Sequence, residues 1–580
     1  MDNRSIASVL KEIALYKELN GENPFKVRAF ENAARVIERY EEDIVVLAKE
    51  DRLSGIKGVG RQIENIIKEY IEKGSSAVLE ELKTKFPESI TDLLKIPGMG
   101  PKKVKAVWEK LGVSSIGELE YACLENRLAS LEGFGEKSQQ KILAGIDFIK
   151  RSENKRLISE AMAIGNEIVS TLNGSDSFAR VTIAGSLRRG KTIFKDIDIL
   201  LVPKQNAEGN GIRKNITSLA DSGDMGIIGA GETKVSIRRH GLQVDFRIVE
   251  EKSFPSALQH FTGSREHNTI LRARAKRMGF KMNEYGLFRG EEALNIEDEE
   301  DVYRKIGLPW IPPEIREGLE EVEAAERGEL PVLVEKEDIK GMIHVHSTYS
   351  DGANSVRELA EACIDNGYRY LCISDHSKSA FYAGGLKEEE LLEEKEEIDK
   401  LNRELQPFRI YFGIESDILP DGNLDYEDEV LASFDFVIAS IHSKLSMGME
   451  EATGRLIRAI ENPFVTILGH PSGRLLLSRE GYPLDMDAIL EALLKNQVVL
   501  EHNCNPHRLD PDWEVLKKAG SMGVMVALSP DAHSIDGFDD MKYGTIMARK
   551  AWLGKSNLLN CMEADEIGEY FIRRREGKEN

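Results

Sequence analysis

The sequence predicts a multidomain chain with helical N-terminal domains, an α+β middle and a C-terminal parallel (β/α)7 barrel. Three observations carry this. Residues 5–150 repeat apolar side chains at three- and four-residue steps between glycines, the period of short amphipathic helices. Residues 181–250 change period: VTIAG, DIDILLVP, KVSIRR and LQVDFRIV read as strands. From residue 340, the apolar runs GMIHVH, RYLCIS, RIYFGIE, FDFVIASIH, FVTILGH, QVVLEHN and GVMVALSPD alternate with amphipathic helical stretches, the pattern of a parallel α/β sheet or barrel. The stretch at 291–335 is acidic, is broken at LPWIPPE, and continues as a helix or linker.

The 580 residues exceed one core and fit three to four domains at about 150 residues each. With 41% hydrophobic and 31% charged residues, global disorder is excluded. No apolar run reaches the length of a membrane span, and the charged N-terminus has no signal-peptide core. The five cysteines lie far apart with no CxxC, which excludes a disulfide framework or thiolate zinc site and fits a reducing cytosol. The net charge of −22 is uneven: residues 1–300 hold 47 Lys+Arg and 46 Asp+Glu, residues 301–580 hold 31 and 54. The first part can therefore grip a polyanion through local basic patches, whereas the second needs cations or a partner module to do so. Eight of the 11 histidines lie in the second part.

Three helical segments share one form: LSGIKGVGRQIENII (53–67), LLKIPGMGPKKVKAVW (93–108) and LASLEGFGEKSQQKIL (128–143). Glycine lets a backbone approach a phosphate, and the N–H groups opening the next helix point at it. The expected DNA-binding positions are Gly58, Gly60, Gly98, Gly100, Lys102, Gly133 and Gly135, with Arg61 and Lys103 adding charge. A single copy is as well explained by a tight helix–helix turn; three copies favour phosphate binding. The segments resemble helix-hairpin-helix motifs, which hold DNA without reading sequence.

GSLRRG at 185–190 precedes Asp196-Ile-Asp198 in an apolar strand. The period of two puts Asp196 and Asp198 on one strand face, and Asp245 lies in the next strongly apolar strand. Three carboxylates so placed form a cage for two divalent cations able to support nucleotidyl transfer. Gly185, Ser186, Arg188 and Arg189 would supply N–H groups and guanidiniums to a triphosphate. Together with HFTGSREHNTILR at 260–272, these motifs resemble the family X DNA polymerases over roughly residues 1–315. The resemblance implies an α+β nucleotidyltransferase palm with Asp196, Asp198 and Asp245 as catalytic metal ligands for Mg²⁺ or Mn²⁺. It implies nucleotide contacts from Ser186, Arg189, Phe261, Gly263, Asn268 and Arg272, the last toward the template. His260 replaces the aromatic hydroxyl residue often found there, which leaves sugar discrimination open. Lyase-competent relatives carry lysines where this chain has Ile66 and Gln62; Lys68 lies about 200° round the helix from the expected position, and Lys57 is the remaining substitute.

In the C-terminal part, His344, His346, Asp351, Asp375, His376, Glu415, Asp417, His442, His470, Asp531 and His533 fall at predicted strand ends. Imidazole plus carboxylate without thiolate suits zinc, manganese or iron on the carboxyl face of a barrel. The run HVHSTYSDG…SDH…GIESD…SIHS…GHPSGR…SPDAH resembles the polymerase-and-histidinol-phosphatase (PHP) domain, a distorted seven-stranded barrel with three metals, over about 338–575. The resemblance implies one metal on His344, His346, Glu415 and Asp531, a second on Glu415, His442 and His470, and a third on Asp351, His376 and His533. These would be Mn²⁺ or Zn²⁺, activating water against a phosphodiester or phosphomonoester. Arg474 is a candidate phosphate clamp or a surface ion pair. His502 and His507 match no ligand position and read as structural or DNA-facing.

The expected boundaries are a helical DNA-binding domain at 1–80, a fingers-like domain at 81–150, the palm at 151–230, a nucleotide-selection subdomain at 231–315, a linker at 316–337 and the PHP domain at 338–580. The resemblance implies a monomeric, cytoplasmic, nucleoid-associated enzyme that fills short gaps during repair and trims 3′ ends, with 3′-phosphatase or abasic-site endonuclease activity open. Its partners would be gapped or nicked DNA and dNTPs, without a membrane. The rivals are a small-molecule phosphatase fused to a DNA-binding module and a non-catalytic DNA end-binding scaffold.

Overall fold

The structure is a computed structural model that describes residues 3–38, 40, 42–56, 58–128, 131, 133–150, 155–221 and 226–576. The chain divides into two compact units, Met1–Ile149 and Lys150–Asn580.

The first unit is helical, and one apolar core runs through it. Each glycine hairpin plants its two apolar residues in that core: Ile56 and Val59, Ile96 and Met99, Leu131 and Phe134 are all buried. The glycines between them face outward. Each hairpin feeds a helix: Arg61–Lys73, Pro101–Leu111 and Glu136–Lys150. Left-handed Gly74 and Gly112 end the first two helices, a conformation that costs a side chain more than glycine.

Early in the second unit, helix Ile158–Asn173 packs on a five-stranded mixed sheet. Strand Asp196–Pro203 lies between Phe178–Ile183 and Leu242–Ile248, followed outward by Lys234–Arg239 and Ile227–Ala230. Only the Asp196–Pro203 and Leu242–Ile248 pair is parallel. Helices Phe254–Thr262 and Arg265–Arg277 and a three-stranded antiparallel sheet follow, with helix Glu299–Lys305 beyond. The stretch after residue 315 is packed rather than extended. Arg316 is fully buried, and Glu321 opens a helix, Glu321–Arg327, while bonding His267 Nδ1 at 2.6 Å.

Seven parallel strands then run in sequential order: Gly341–Val345, Tyr370–Ile373, Arg409–Asp417, Phe436–Ser440, Ile467–Leu468, Val499–Asn503 and Val526–Ser529. A parallel bridge between Val345 and Ala532 brings the first and last strands together, so the barrel is nearly closed. Alternate residues divide cleanly. Ile343, Cys372, Tyr411, Phe436, Ile438, Val499 and Ala527 form one apolar cluster with Ile567 and Phe571 of helix Ala564–Glu576. The intervening residues pack outward against the helices, in a core continuous with that of the five-stranded sheet. Both faces of each strand are therefore buried, as parallel sheets require.

Candidate functional sites

The register of the two parallel strands sets Asp198 directly beside Asp245, with Asp196 two residues away on the same face. Burial and the like charges of Asp196 and Asp245 push the Asp198 carboxyl up to about 6. Burial would also raise Asp245. Hydrogen bonds from Lys234 at 2.7 Å, Ser236 at 2.6 Å and Gln243 at 3.0 Å more than offset it, and its pKa is lowered. Three clustered carboxylates, one of them raised by burial and by its like-charged neighbours, are a donor set that divalent cations fit. Lys234, Ser236 and Gln243 were not singled out in the sequence; their only signal was alternation, Lys234 and Ser236 on the neighbouring strand and Gln243 on that of Asp245 itself.

Gly185 precedes this cage with φ +63, and a Cβ there would collide with the Asp198 carboxylate. Ser186 is half-buried in the same turn. The two arginines that follow are turned inward. Arg188 forks onto Glu299 with two bonds of 2.7 Å, and Arg189 bonds the Thr262 carbonyl and lies 3.4 Å from Glu317. The expected Arg189–triphosphate contact is thus not preformed; its guanidinium has protein partners here.

Phe261, half-buried, lines a cavity of about 700 Å³ with Arg247, Glu284, Tyr285 and Asn295. The Arg247 guanidinium stands 5.0 Å over the Phe261 ring, and His260 meets that ring edge-on at 5.1 Å. Gly263 ends the helix at φ +69. Asn268 is buried, accepting from Gln259 at 2.8 Å and donating to the His260 carbonyl at 2.7 Å. Arg272 donates back to the Asn268 carbonyl at 3.2 Å. Asn268 therefore fixes the turn that presents His260 and Phe261, and its amide is occupied.

In the hairpins, Gly58, Gly98 and Gly133 take φ of +98, +90 and +86. Gly60 and Gly100 cap the next helices, and Gly135 immediately precedes the third. A Cβ on any of the six would meet nothing within 4 Å. Packing does not demand these glycines, which leaves open space for a ligand backbone. Lys102 and Arg61 are exposed beside them. Lys103 bridges instead to the third hairpin, bonding Ser138 at 3.0 Å and standing 5.1 Å over the Phe134 ring. Lys68 is tied to Asp51 at 2.5 Å and Glu64 at 2.8 Å, and these partners raise its pKa. Ile66 is buried, Gln62 is exposed, and Lys57 lies outside the described residues.

The barrel brings all nine expected ligands together. Glu415, Glu501 and Asp531 continue the inward-facing row beyond the apolar cluster, at the carboxyl ends of their strands. A register shift between Ile343 and Val345 puts His344 at φ +69, so that His344 and His346 reach the same centre. Glu415 is the hub, with oxygens 2.9 Å from His376, 3.0 Å from His470, 3.2 Å from His442 and 3.3 Å from His344. Asp531 stands 3.1 Å from His346 and 3.5 Å from His344, and Asp351 3.3 Å from His533. Among the described residues, three sets have ligand atoms close enough to share an ion: His346/Asp351/His376/His533, His344/His346/Asp531 and His376/Glu415/His442. His346 and His376 each belong to two sets, where the resemblance gave each to one; Glu415 belongs to one, where the resemblance gave it to two, and His470 to none, although its Nε2 lies 3.0 Å from Glu415.

The electrostatics match a cation centre. For Glu415, burial is outweighed by His442, His344 and His376, and its pKa falls well below the usual carboxylate range. Burial together with His533 and His376 lowers His346 to about 4. His344 Nε2 and Glu415 Oε2 are buried and make no well-formed hydrogen bond, as expected of atoms shaped for metal ions. Their neighbours orient them: His344 Nδ1 lies 2.6 Å from Glu501, His442 Nδ1 bonds Asp417, and Asn503 donates to Asp531 at 2.9 Å. Glu501 and Asn503 were missed in the sequence, where they read as polar residues of a buried strand.

Asp375 is not in these sets; it accepts from Ser347 N–H and hydroxyl at 2.8 and 2.6 Å and ties the loop that carries Asp351. Arg474 is held by Asp512 and by the Arg508 and Leu509 carbonyls, which favours the ion-pair reading over a phosphate clamp. Arg508, with Nε 3.9 Å from Asp531, is the guanidinium nearer the centre. His502 is wholly buried, bonding the Pro511 carbonyl at 3.1 Å, and burial lowers it to about 3; it is structural rather than DNA-facing. His507 is half-buried in the adjoining turn.

Known families match in the same places. Residues 1–76 match a helix-hairpin-helix domain, 90–147 a SAM-like helix-hairpin-helix tandem, 257–317 the DNA polymerase beta thumb and 343–503 the PHP domain. The DNA polymerase/3′-5′ exonuclease PolX of Bacillus subtilis (strain 168) is 42% identical over 99% of this chain and 100% of its own length. A probable phosphatase of Thermoanaerobacter sp. (strain X514) is 30% identical over 40% of this chain and 94% of its own. DNA polymerase lambda of Arabidopsis thaliana is 23% identical over 54% of this chain and 62% of its own. With a full-length relative at this identity and the helix-hairpin-helix, thumb and PHP models matched in that order, the chain belongs to the family X DNA polymerases that carry a C-terminal PHP domain.

Proposed function

We propose that the chain is a DNA polymerase that fills short gaps by nucleotidyl transfer, and that its barrel removes nucleotides from 3′ ends. The observation that carries this is the pairing of two polar clusters in one chain: Asp198 in register with Asp245, and nine histidines and carboxylates gathered at the barrel's strand ends.

In the palm, Asp196, Asp198 and Asp245 would hold Mg²⁺ or Mn²⁺, which would supply positive charge to the attacking hydroxyl and the leaving pyrophosphate. Lys234 and Ser236 keep Asp245 ionised and aimed. Gly185 brings the turn carrying Ser186 against the acids, and Phe261 and Gly263 shape the wall where a sugar would lie. The carbonyl of Asn268 steadies Arg272, which faces the template side in this reading. In the barrel, the nine ligands would hold three Mn²⁺ or Zn²⁺ ions that activate water. Glu501 and Asp417 hold the His344 and His442 rings in the orientation that turns Nε2 inward.

Gapped or nicked DNA and dNTPs are the proposed partners, and the open glycine turns of the first unit would lie against phosphates. No helix among the described residues is long and apolar enough to cross a membrane. A monomer in the cytoplasm, associated with the nucleoid, is the working assignment. So are domain boundaries near 80, 150, 230, 315 and 338, with 316–337 acting as a packed connector rather than a spacer. The likeness of the barrel to probable phosphatases favours a second, 3′-phosphatase activity of the same centre.

The test is one reaction: a labelled gapped duplex with Mn²⁺, with and without dNTPs, and a parallel substrate ending in a 3′-phosphate. Extension with dNTPs and shortening without them are expected. Neither event, with tight DNA binding, would favour the end-binding scaffold. Hydrolysis of a small phosphomonoester alone would favour the fused phosphatase.

A further inference from the structure

The loop Gly185–Gly190 is pressed by the barrel domain. Helix Met541–Lys550 runs against it, and a Cβ on Gly190, at φ +65, would collide with Ile546. The last residue of that helix, Lys550, is 2% exposed. Its ammonium reaches three acceptors: the Arg189 carbonyl at 3.2 Å, the Glu314 carbonyl at 3.3 Å and the Glu317 carboxylate. That uses every donor an ammonium has. Glu317 is also the carboxylate beside the Arg189 guanidinium, at 3.4 Å. Arg549 fastens the same segment, pairing with Glu314 and Glu335 at 2.7 Å each.

The charges around the loop do not balance. Arg188 and Arg316 share Glu299, and Arg189 and Lys550 share Glu317. With Arg549 on Glu314 counted too, five cations meet three carboxylates, all buried or half-buried, which leaves a place for an anion. Were Lys550 absent, Glu317 would have only Arg189, and the inward pairing of that guanidinium would tighten. With Lys550 present, Glu317 stays paired when Arg189 turns away.

We propose that Lys550, carried by the barrel domain, is a positioning residue for nucleotidyl transfer: it anchors the Arg189 main chain and neutralises Glu317, freeing the Arg189 guanidinium for an incoming triphosphate. The inference rests on the polymerase reading of the palm. It makes the barrel domain part of the nucleotide-binding apparatus, independent of its own hydrolytic centre.

The test is single-nucleotide gap filling by the full chain, with KM for dNTP and kcat measured separately. Lys550→Met should raise KM about tenfold with kcat within about twofold. Exonuclease activity should stay within about twofold, since Lys550 is no part of that centre. Adding Glu317→Gln removes the carboxylate that holds Arg189, so the double variant should recover KM to within about threefold of wild type. A merely structural loss would not be rescued by a second substitution. An unchanged KM in Lys550→Met, or a double variant as impaired as the single, overturns the proposal. Should Lys550→Met fail to fold, Glu317→Gln alone decides: KM is expected to fall about threefold, and an unchanged or raised KM overturns it. A wild-type chain that never extends a primer overturns the polymerase reading, and this inference with it.

Discussion

Glu501 holds His344 Nδ1 at 2.6 Å with both side chains fully buried, across 157 residues of sequence. The carboxylate comes from the sixth barrel strand and the imidazole from the first. The Glu501 carboxylate also accepts from the His470 N–H at 3.0 Å, so one residue orients two expected ligands. Glu501→Gln keeps the shape but can no longer hold His344 with Nδ1 protonated by charge. We expect metal affinity and 3′-end trimming to fall about 10- to 100-fold, with gap filling unchanged. Metal content after dialysis, measured beside both activities, checks this; full retention of metal would remove Glu501 from the centre.

The two activities should separate. Asp198→Ala removes one wall of the palm's acid cage and should abolish extension while trimming continues. His344→Ala should do the reverse, because its ligand set shares no residue with the palm. Loss of both activities in a folded Asp198→Ala variant would mean that the sites do not act independently.

If the hairpins address phosphates as proposed, binding to DNA should be salt-dependent and largely blind to sequence. Gly100 sits at φ −89 with open space around its Cβ position, so Gly100→Val carries no backbone strain. It should weaken binding to gapped DNA while leaving the melting temperature in place. The Gly98→Val, Gly100→Val double change adds strain at the positive φ of Gly98. Unchanged affinity in both variants would make the second hairpin purely structural.

Schiff-base lyase activity on a 5′-deoxyribose-phosphate should be absent or weak. Ile66 is buried, and the Lys68 ammonium is paired with Asp51 and Glu64, whose bonds raise its pKa. A nucleophilic amine needs the opposite shift. Borohydride trapping on a nicked duplex reads this directly. Strong trapping in the first unit would overturn it, and Lys57→Ala would locate the amine.

Glu299 makes stability depend on acid pH. Burial would raise its carboxyl, but Arg188 and Arg316 outweigh that and lower it to about 2. A depressed carboxylate stabilises the folded chain fully above its unfolded value, and that contribution is lost as pH falls through the folded value. About 3 kcal/mol should therefore disappear between roughly pH 4.5 and pH 2. The stability gap between wild type and Glu299→Gln, followed by denaturant melts, should shrink over that window. A constant gap would mean that Glu299 does not titrate as its two guanidiniums require.

The sequence by itself determined whatever depends on local period and ligand chemistry. Period two put Asp196 and Asp198 on one strand face. The repeated turn put apolar residues inward and glycines outward in all three hairpins, and strand-end histidines marked the rim where the barrel's candidate metal ligands gather. Tertiary structure alone decided who faces whom. Glu501 finds His344 only because the closing barrel turns inward-facing side chains of its sixth and first strands into one interior. Arg188 and Arg189 read as triphosphate contacts in GSLRRG, yet Glu299 and Glu317, more than a hundred residues later, turn both inward. Arg474 and His502 are settled the same way, by Asp512 and by burial. Spacing along the chain fixes which face a side chain takes; the partner that satisfies its charge is chosen by elements brought together in folding, and no local pattern encodes that choice.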